Sequence, residues 1–262
     1  MKPIVIKNTA VSSRGFFINP IYGLSLFLLL LAPHFLHAEP RKMTPMELSY
    51  FESTRKNIDD ASDFAVTHGE KANWLKVVQI CNSAAKKLPK EPLVEVGLVS
   101  DLFSKRALAE KNLGQFHEAI ADYDKAIQIR SHGWPREFLE RGECRCPQGY
   151  LHCTQEDLKA CVKDLRQGIQ TAREMVDWDS TSYLFEARLE LGKALLPLGE
   201  KDEARRLFQD ICKDGNQILA VKNPMRFNGT DRQNPEPGES EALHAEARHY
   251  VDEATKELKN IH

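Results

Sequence analysis

The sequence predicts an all-α fold: an α-solenoid of three to four helical hairpins with a C-terminal capping helix. Three observations predict it. First, a register of small residues recurs. A small residue is followed twelve positions later by a second, then four further on by an aromatic or leucine, then three beyond by a small or apolar residue. Ala107, Ala119, Tyr123 and Ala126 fit it, and so do Gly192, Ala204, Phe208 and Ile211. Second, a glycine, Gly114 or Gly199, breaks each of these copies between its halves. Third, an amphipathic segment from about Glu241 to Leu258 follows the last copy and suits the end of such an array. A hairpin of this kind cannot bury its apolar face alone, so neighbours stack and share a core. The product is an extended binding surface rather than a closed catalytic pocket.

The first 38 residues stand apart. Lys2, Lys7 and Arg14 give a basic start, and no acidic residue occurs before Glu39. The apolar run Ile21 to Ala32, broken only by Gly23 and Ser25, is shorter than the roughly 20 residues that a membrane span needs. It leads through Pro33 to Leu36-His37-Ala38 and then into charged sequence. This is the layout of a secretory signal peptide, residues 1–38, cleaved after Ala38. The competing reading is an uncleaved anchor at residues 21–36. Removing the three leader cations from 36 Lys and Arg leaves 33 against 38 Asp and Glu, a net charge of −5. A mildly acidic chain lacks the basic stripe that nucleic acid requires.

The repeat domain spans residues 39–222. Thr44, Pro45 and Glu47 form a helix start with a capping residue, a first-turn proline and a capping-box glutamate. That helix runs to about His68-Gly69. Its partner runs from Asn73 to Leu88 with Trp74, Val77, Val78, Cys81, Ala84 and Ala85 on one face, closing a first hairpin at about 45–89. The second hairpin, 92–130, pairs a helix from Pro92 to Leu113 with one from Phe116 to Ile129. The third covers 135–173. The fourth, 183–213, pairs Tyr183–Leu198 with a helix from Lys201 to about Lys213. Residues 223–240, rich in Asn, Pro and Gly, read as a loop. Residues 241–262 supply the capping helix.

The segment from Arg106 to Ile127 resembles a tetratricopeptide repeat, and Leu191, Gly192, Leu195, Gly199, Ala204 and Phe208 resemble a second. The resemblance covers about residues 58 to 213. It implies helix–turn–helix units of about 34 residues stacked into a superhelix. The third copy departs from the pattern. Arg141-Gly142 match Arg106-Ala107, and Leu158, Cys161, Val162, Leu165 and Gly168 match Phe116, Ala119, Ile120, Tyr123 and Ala126. Nineteen residues separate Gly142 from Cys161 where twelve are expected, so seven extra residues enter the turn, within the stretch Cys144–Cys153.

Four of the six cysteines, Cys144, Cys146, Cys153 and Cys161, crowd into this insert. In an exported chain they are candidates for two disulfides: Cys144–Cys153 with Cys146–Cys161, or Cys144–Cys161 with Cys146–Cys153. Four thiolates could also hold zinc, but paired Cys-x-x-Cys knuckles are missing. Cys81 and Cys212 fall on apolar helix faces and read as buried thiols. No phosphate loop, nucleophile elbow or His-Glu-x-x-His motif occurs. The sequence therefore calls for no cofactor, metal, small-molecule substrate or catalytic residue. Asn228-Gly-Thr is a glycosylation sequon in the predicted loop.

The resemblance further implies that the first helix of each hairpin lines a concave face. That face would carry Leu108, Lys111, Asn112, Leu139, Glu143, Leu189, Lys193 and Leu196, a mixed groove with a ladder of leucines. Chaperone-binding members grip a terminal carboxylate with Lys, Asn and Arg. Here the corresponding places hold Asp101, Ser104, Leu108, Arg136, Glu140, Glu186 and Glu190, so that clamp is missing. The expectation is a non-catalytic scaffold or assembly factor, periplasmic or secreted, that binds a segment of another exported protein. A membrane enters only if the leader stays attached. The contrasting expectations are a thiol–disulfide or metal-dependent enzyme centred on Cys144–Cys161, and a permanent accessory subunit of a larger complex.

Overall fold

A computed structural model describes residues 40–131, 133–174, 179–221 and 238–261. The expected leader, the Asn228 sequon and nearly all of the expected 223–240 loop lie outside those residues. The described residues form α1 (Pro45–His68), α2 (Lys71–Ala85), α3 (Val96–Asn112), α4 (Phe116–Arg130), α5 (Pro135–Arg145), α6 (Gln155–Glu174), α7 (Asp179–Leu195), α8 (Lys201–Ala220) and α9 (Glu239–Asn260). A short 3₁₀ turn, Tyr150–His152, lies between α5 and α6. Among the described residues no helix is long and apolar enough to cross a membrane.

The local signals act as chemistry requires. Thr44 accepts the Glu47 amide, the Glu47 carboxylate accepts the Thr44 amide, and Gly69 ends α1 in the left-handed region at φ 64°. The pairs α1–α2, α3–α4, α5–α6 and α7–α8 pack as antiparallel hairpins, and consecutive hairpins stack. The odd-numbered helices also pack on one another, α1 on α3, α3 on α5 and α5 on α7, with no comparable packing along the even-numbered row. The odd row is therefore the inner, concave layer.

The small-residue register is a packing register. Ala65, Val77, Cys81 and Ala84 are buried in the first hairpin, as are Ala107, Ala119, Tyr123 and Ala126 in the second. A Cβ on Gly192 would stand 2.4 Å from the Phe208 ring, and one on Gly142 would stand 3.3 Å from Cys161 Sγ. At Gly192 the missing Cβ lets the Phe208 ring fill the seam, and at Gly142 an added Cβ would press on the sulfur.

Two boundaries differ from expectation, and tertiary contacts explain both. The second hairpin's first helix begins at Val96 rather than Pro92. The stretch before it is engaged with Arg41, whose amide donates to the Pro92 carbonyl and whose carbonyl accepts the Val94 amide, each at 3.0 Å. Helix α8 continues to Ala220 rather than stopping at Lys213, because α9 docks along its extension. A Cβ at Gly215 would meet Val251 Cγ2 at 2.4 Å, so this glycine is the contact point of the cap rather than a stop signal. Leu243, Ala247 and Ala254 of α9 are buried there. Arg248, His249, Asp252 and Lys256 remain exposed. One apolar and one polar side is what closing an array end demands.

Candidate functional site: the inner face and the insert

The inner face departs from the leucine ladder that the sequence suggests. Leu139 and Leu189 are 2% and 4% exposed and belong to the core of the third and fourth hairpins. Leu108 and Leu196 are half-buried against the two main cores. None of the four is a free rung, because the apolar positions of α3, α5 and α7 turn into the seams between helices.

The polar members of the predicted site come together as ion pairs between hairpins. Between α1 and α3, Lys105 meets Asp59 at 2.9 Å and Arg55 meets Asp101 at 3.4 Å. Between α3 and α5, the Lys111 ammonium sits against both Glu140 and Glu143, and the Ser104 hydroxyl donates to Glu137. Between α5 and α7, Arg136 reaches Glu186 at 3.9 Å and lies over the Tyr183 ring. Lys193 pairs with Glu190 at 2.8 Å, and Glu190 accepts the Tyr150 hydroxyl at 2.8 Å. Asn112 donates to the Leu108 carbonyl in its own helix. Burial disfavours the Lys111 charge, yet Glu140 and Glu143 raise its pKa. Burial raises Glu143 and Glu186 above the ordinary carboxylate range despite their cations. Lys111, Glu143 and Lys193 are thus held by one another's neighbours, and a ligand at this point would have to break pairs.

The open part of the inner face lies nearer the N-terminal end. A cleft of about 620 Å³ runs between α1 and α3. Phe51, Ile58, Leu98 and Leu102 give it apolar walls, and Arg55, Asp59, Asp101 and Lys105 are polar groups along it. Trp134, 42% exposed, stands in the wall with the Arg130 guanidinium over its ring at 5.0 Å. Arg130 is in turn held by Asp101 at 2.6 Å. Sequence reasoning missed this cleft. Its one legible signal was a tryptophan in the turn Gly133-Trp134-Pro135, where core packing gives no reason for one.

In the insert, Cys146 and Cys153 form a disulfide, with Cα atoms 5.2 Å apart. Cys144 and Cys161 are free and buried, so the Cys146–Cys153 bond of the second expected pairing is present without its Cys144–Cys161 companion, and the first pairing is not formed. Cys144 packs with Ala107, Ala119 and Tyr123 of the second hairpin, whereas Cys161 packs in the core of the third and fourth. Burial pushes both thiols up to about 12, and Cys81 likewise. Thiol–disulfide exchange needs a thiolate, and these sulfurs are held in the opposite state. Among the described residues no group of three or more His, Cys, Asp or Glu side chains is arranged to hold a metal. A second cleft of about 510 Å³ separates the insert from the Gly114–Ile120 turn.

This architecture, four helical hairpins with buried small residues in the seams and an inner row of odd-numbered helices, is that of a helical-repeat protein. Residues 101–132 match the family model of the tetratricopeptide repeat. The matched segment runs from within α3 through α4, so it is the second hairpin that carries this likeness. No curated protein matches it. Among solved structures it is similar to the crystal structure of nearly identical tetratricopeptide-like repeats from a chain described as a kinesin light chain of Podosopora anserina. The identity is 14% and the TM-score 0.48, over 79% of this chain and 95% of that one.

Proposed function

We propose that the protein is a non-catalytic scaffold which holds a segment of another exported protein in the cleft between α1 and α3, in the periplasm or outside the cell. The observation that carries this reading is the cleft itself. It is the broad stretch of the described inner face that combines apolar walls, an exposed tryptophan and partly exposed ion pairs. Tryptophan and arginine are enriched among the few residues that carry most of an interface's binding energy. Arg55 and Lys105 against Asp59 and Asp101 offer partners for backbone and side-chain groups of an extended chain. Export is supported by the basic and apolar leader and by the Cys146–Cys153 disulfide, which an oxidising compartment preserves.

The test is capture from the exported fraction with the wild type, Trp134→Ala, Lys105→Glu and, as a control on the outer row, Lys163→Ala. Loss of the same protein by the first two and its retention by the third are expected. Equal recovery by all four would overturn the assignment of the cleft. Recovery of the partner from the cytoplasmic fraction alone would overturn the assignment of export.

A further inference from the structure

Two register positions govern how each hairpin meets the one before it. They precede the first small residue by one and follow the second by three. In the second hairpin they hold Arg106 and Asp122, and Arg106 reaches back to Asn82 of α2 at 2.7 Å. In the third they hold Arg141 and Asp164, and Arg141 reaches back to Asp124 of α4. In the fourth they hold Leu191 and Leu207, packed into the core shared with the third hairpin. In the first they hold Phe64 and Ile80, and among the described residues no helix precedes α1.

This end of the array therefore carries the apolar pair of an internal junction with nothing described upon it. Phe64 is 52% exposed, and its ring stacks on His68 at 3.9 Å. It stands with Ile80, Ala61 and Asn73 at a cleft of about 480 Å³ between α1 and α2, and the Asn73 side-chain nitrogen there is buried without a hydrogen-bond partner. The other end of the array is closed by α9 with its polar side outward. A repeat array needs such a cover at both ends.

We infer that a second copy of this chain covers the first hairpin, α1–α2 of one protomer against α1–α2 of the other about a two-fold axis. Charge selects this occupant. Apart from Asp59, which pairs with Lys105 of α3, the second half of α1 carries Asp60 and Asp63, whereas α2 carries Lys71 and Lys76 and no acidic residue. Asp60 and Lys76 flank the cleft from opposite helices. A two-fold axis that crosses α1 of one copy over α2 of the other sets each acid against the other copy's lysine, with Phe64 and Ile80 between them. An isologous contact of this kind closes at two copies.

Sedimentation equilibrium on the protein purified as the cell makes it tests this. The wild type is expected to dimerise in the micromolar range. Phe64→Glu, at an exposed position that leaves the core intact, should raise the dissociation constant by at least ~tenfold. Asp60→Lys should weaken the dimer as well, and Asp60→Lys with Lys76→Asp should restore it. A wild type that stays monomeric at all concentrations, a dimer indifferent to Phe64→Glu, or a failure of the double swap to restore association would each overturn the proposal. Co-purification of a different protein with a monomeric wild type would do so too. The α1–α3 cleft is on another face, so this outcome is independent of partner capture.

Discussion

Replacing Glu110 with glutamine should stabilise this protein at neutral pH and do little in acid. Glu110 lies on α3 and is 8% exposed, with its Oε2 buried and unpartnered. Burial raises its carboxyl to a pKa of about 7. The Asp122 carboxylate adds to the rise and accepts a hydrogen bond from the protonated form, Glu118 contributes further, and Arg106 only partly offsets them. In the unfolded chain the group titrates near its ordinary value of 4.5. Between pH 4.5 and 7 the folded state therefore holds a proton that the unfolded state has released. Stability then falls as pH rises, by ~1.4 kcal/mol per pH unit, and the loss approaches about 3 kcal/mol above pH 7. Glutamine keeps a donor toward Asp122 and removes the charge. Urea denaturation at pH 5, 6, 7 and 8 measures the difference between the two proteins, in which the other buried carboxylates cancel. Glu110→Gln should gain about 2–3 kcal/mol on the wild type over that interval. Parallel stability–pH curves would refute the reasoning, since they would mean that Glu110 titrates alike in both states.

Gly192→Ala should lower stability by about 1–3 kcal/mol, because the added methyl meets the Phe208 ring; thermal melts read it directly, and an unchanged midpoint would contradict the close seam. Lys111→Ala leaves Glu140 and Glu143 facing each other without their cation and should cost about 3 kcal/mol at pH 8. That cost should shrink toward pH 5, where Glu143, already raised by burial, takes up a proton; a pH-independent cost would argue against the pair. Cys153→Ser should lower stability by about 2–3 kcal/mol from the loss of a short cross-linked loop, while thiol labelling of the native wild type leaves Cys81, Cys144 and Cys161 slow to react. Rapid labelling of Cys144 would revive redox chemistry in the insert.

Local rules wrote most of the helical plan, and they failed where distant contacts intervened. Thr44, Gly69, Gly114 and Gly199 mark ends of helices or their turns because capping and left-handed backbone act within a few residues. Pro92 looked like a helix start, but Arg41, half a hundred residues upstream, holds that stretch extended. The fourth hairpin's second helix was expected to end at about Lys213, and the docking of α9 carries it to Ala220 with Gly215 as a contact point. For the inner face, the sequence assigned Lys111, Glu143 and Lys193 to the first helices of their hairpins, which are α3, α5 and α7. It could not say that their charges were already spent on Glu140, Lys111 and Glu190. Leu139 and Leu189 were misplaced because the period of a helix identifies an apolar face without saying whether a neighbour covers it. Cys161 was misread as a cross-link, although it stands in register with Ala119, a buried seam position. Trp134 gave too little pattern to outweigh the leucines, and the α1–α3 cleft has no periodic signature at all.

The arginines of the second and third hairpins have a consequence for how such a chain can change over time. Arg106 requires an aspartate in its own hairpin and an amide oxygen in the first, while Arg141 requires an aspartate in its own hairpin and another in the second. The junction of the fourth hairpin is apolar instead. Each junction thus accepts one predecessor. Duplicating, deleting or exchanging a single hairpin would strand a buried guanidinium, or set it against leucine. This array cannot lengthen by copying its units as a uniform solenoid can; its order of hairpins is fixed by the junctions themselves.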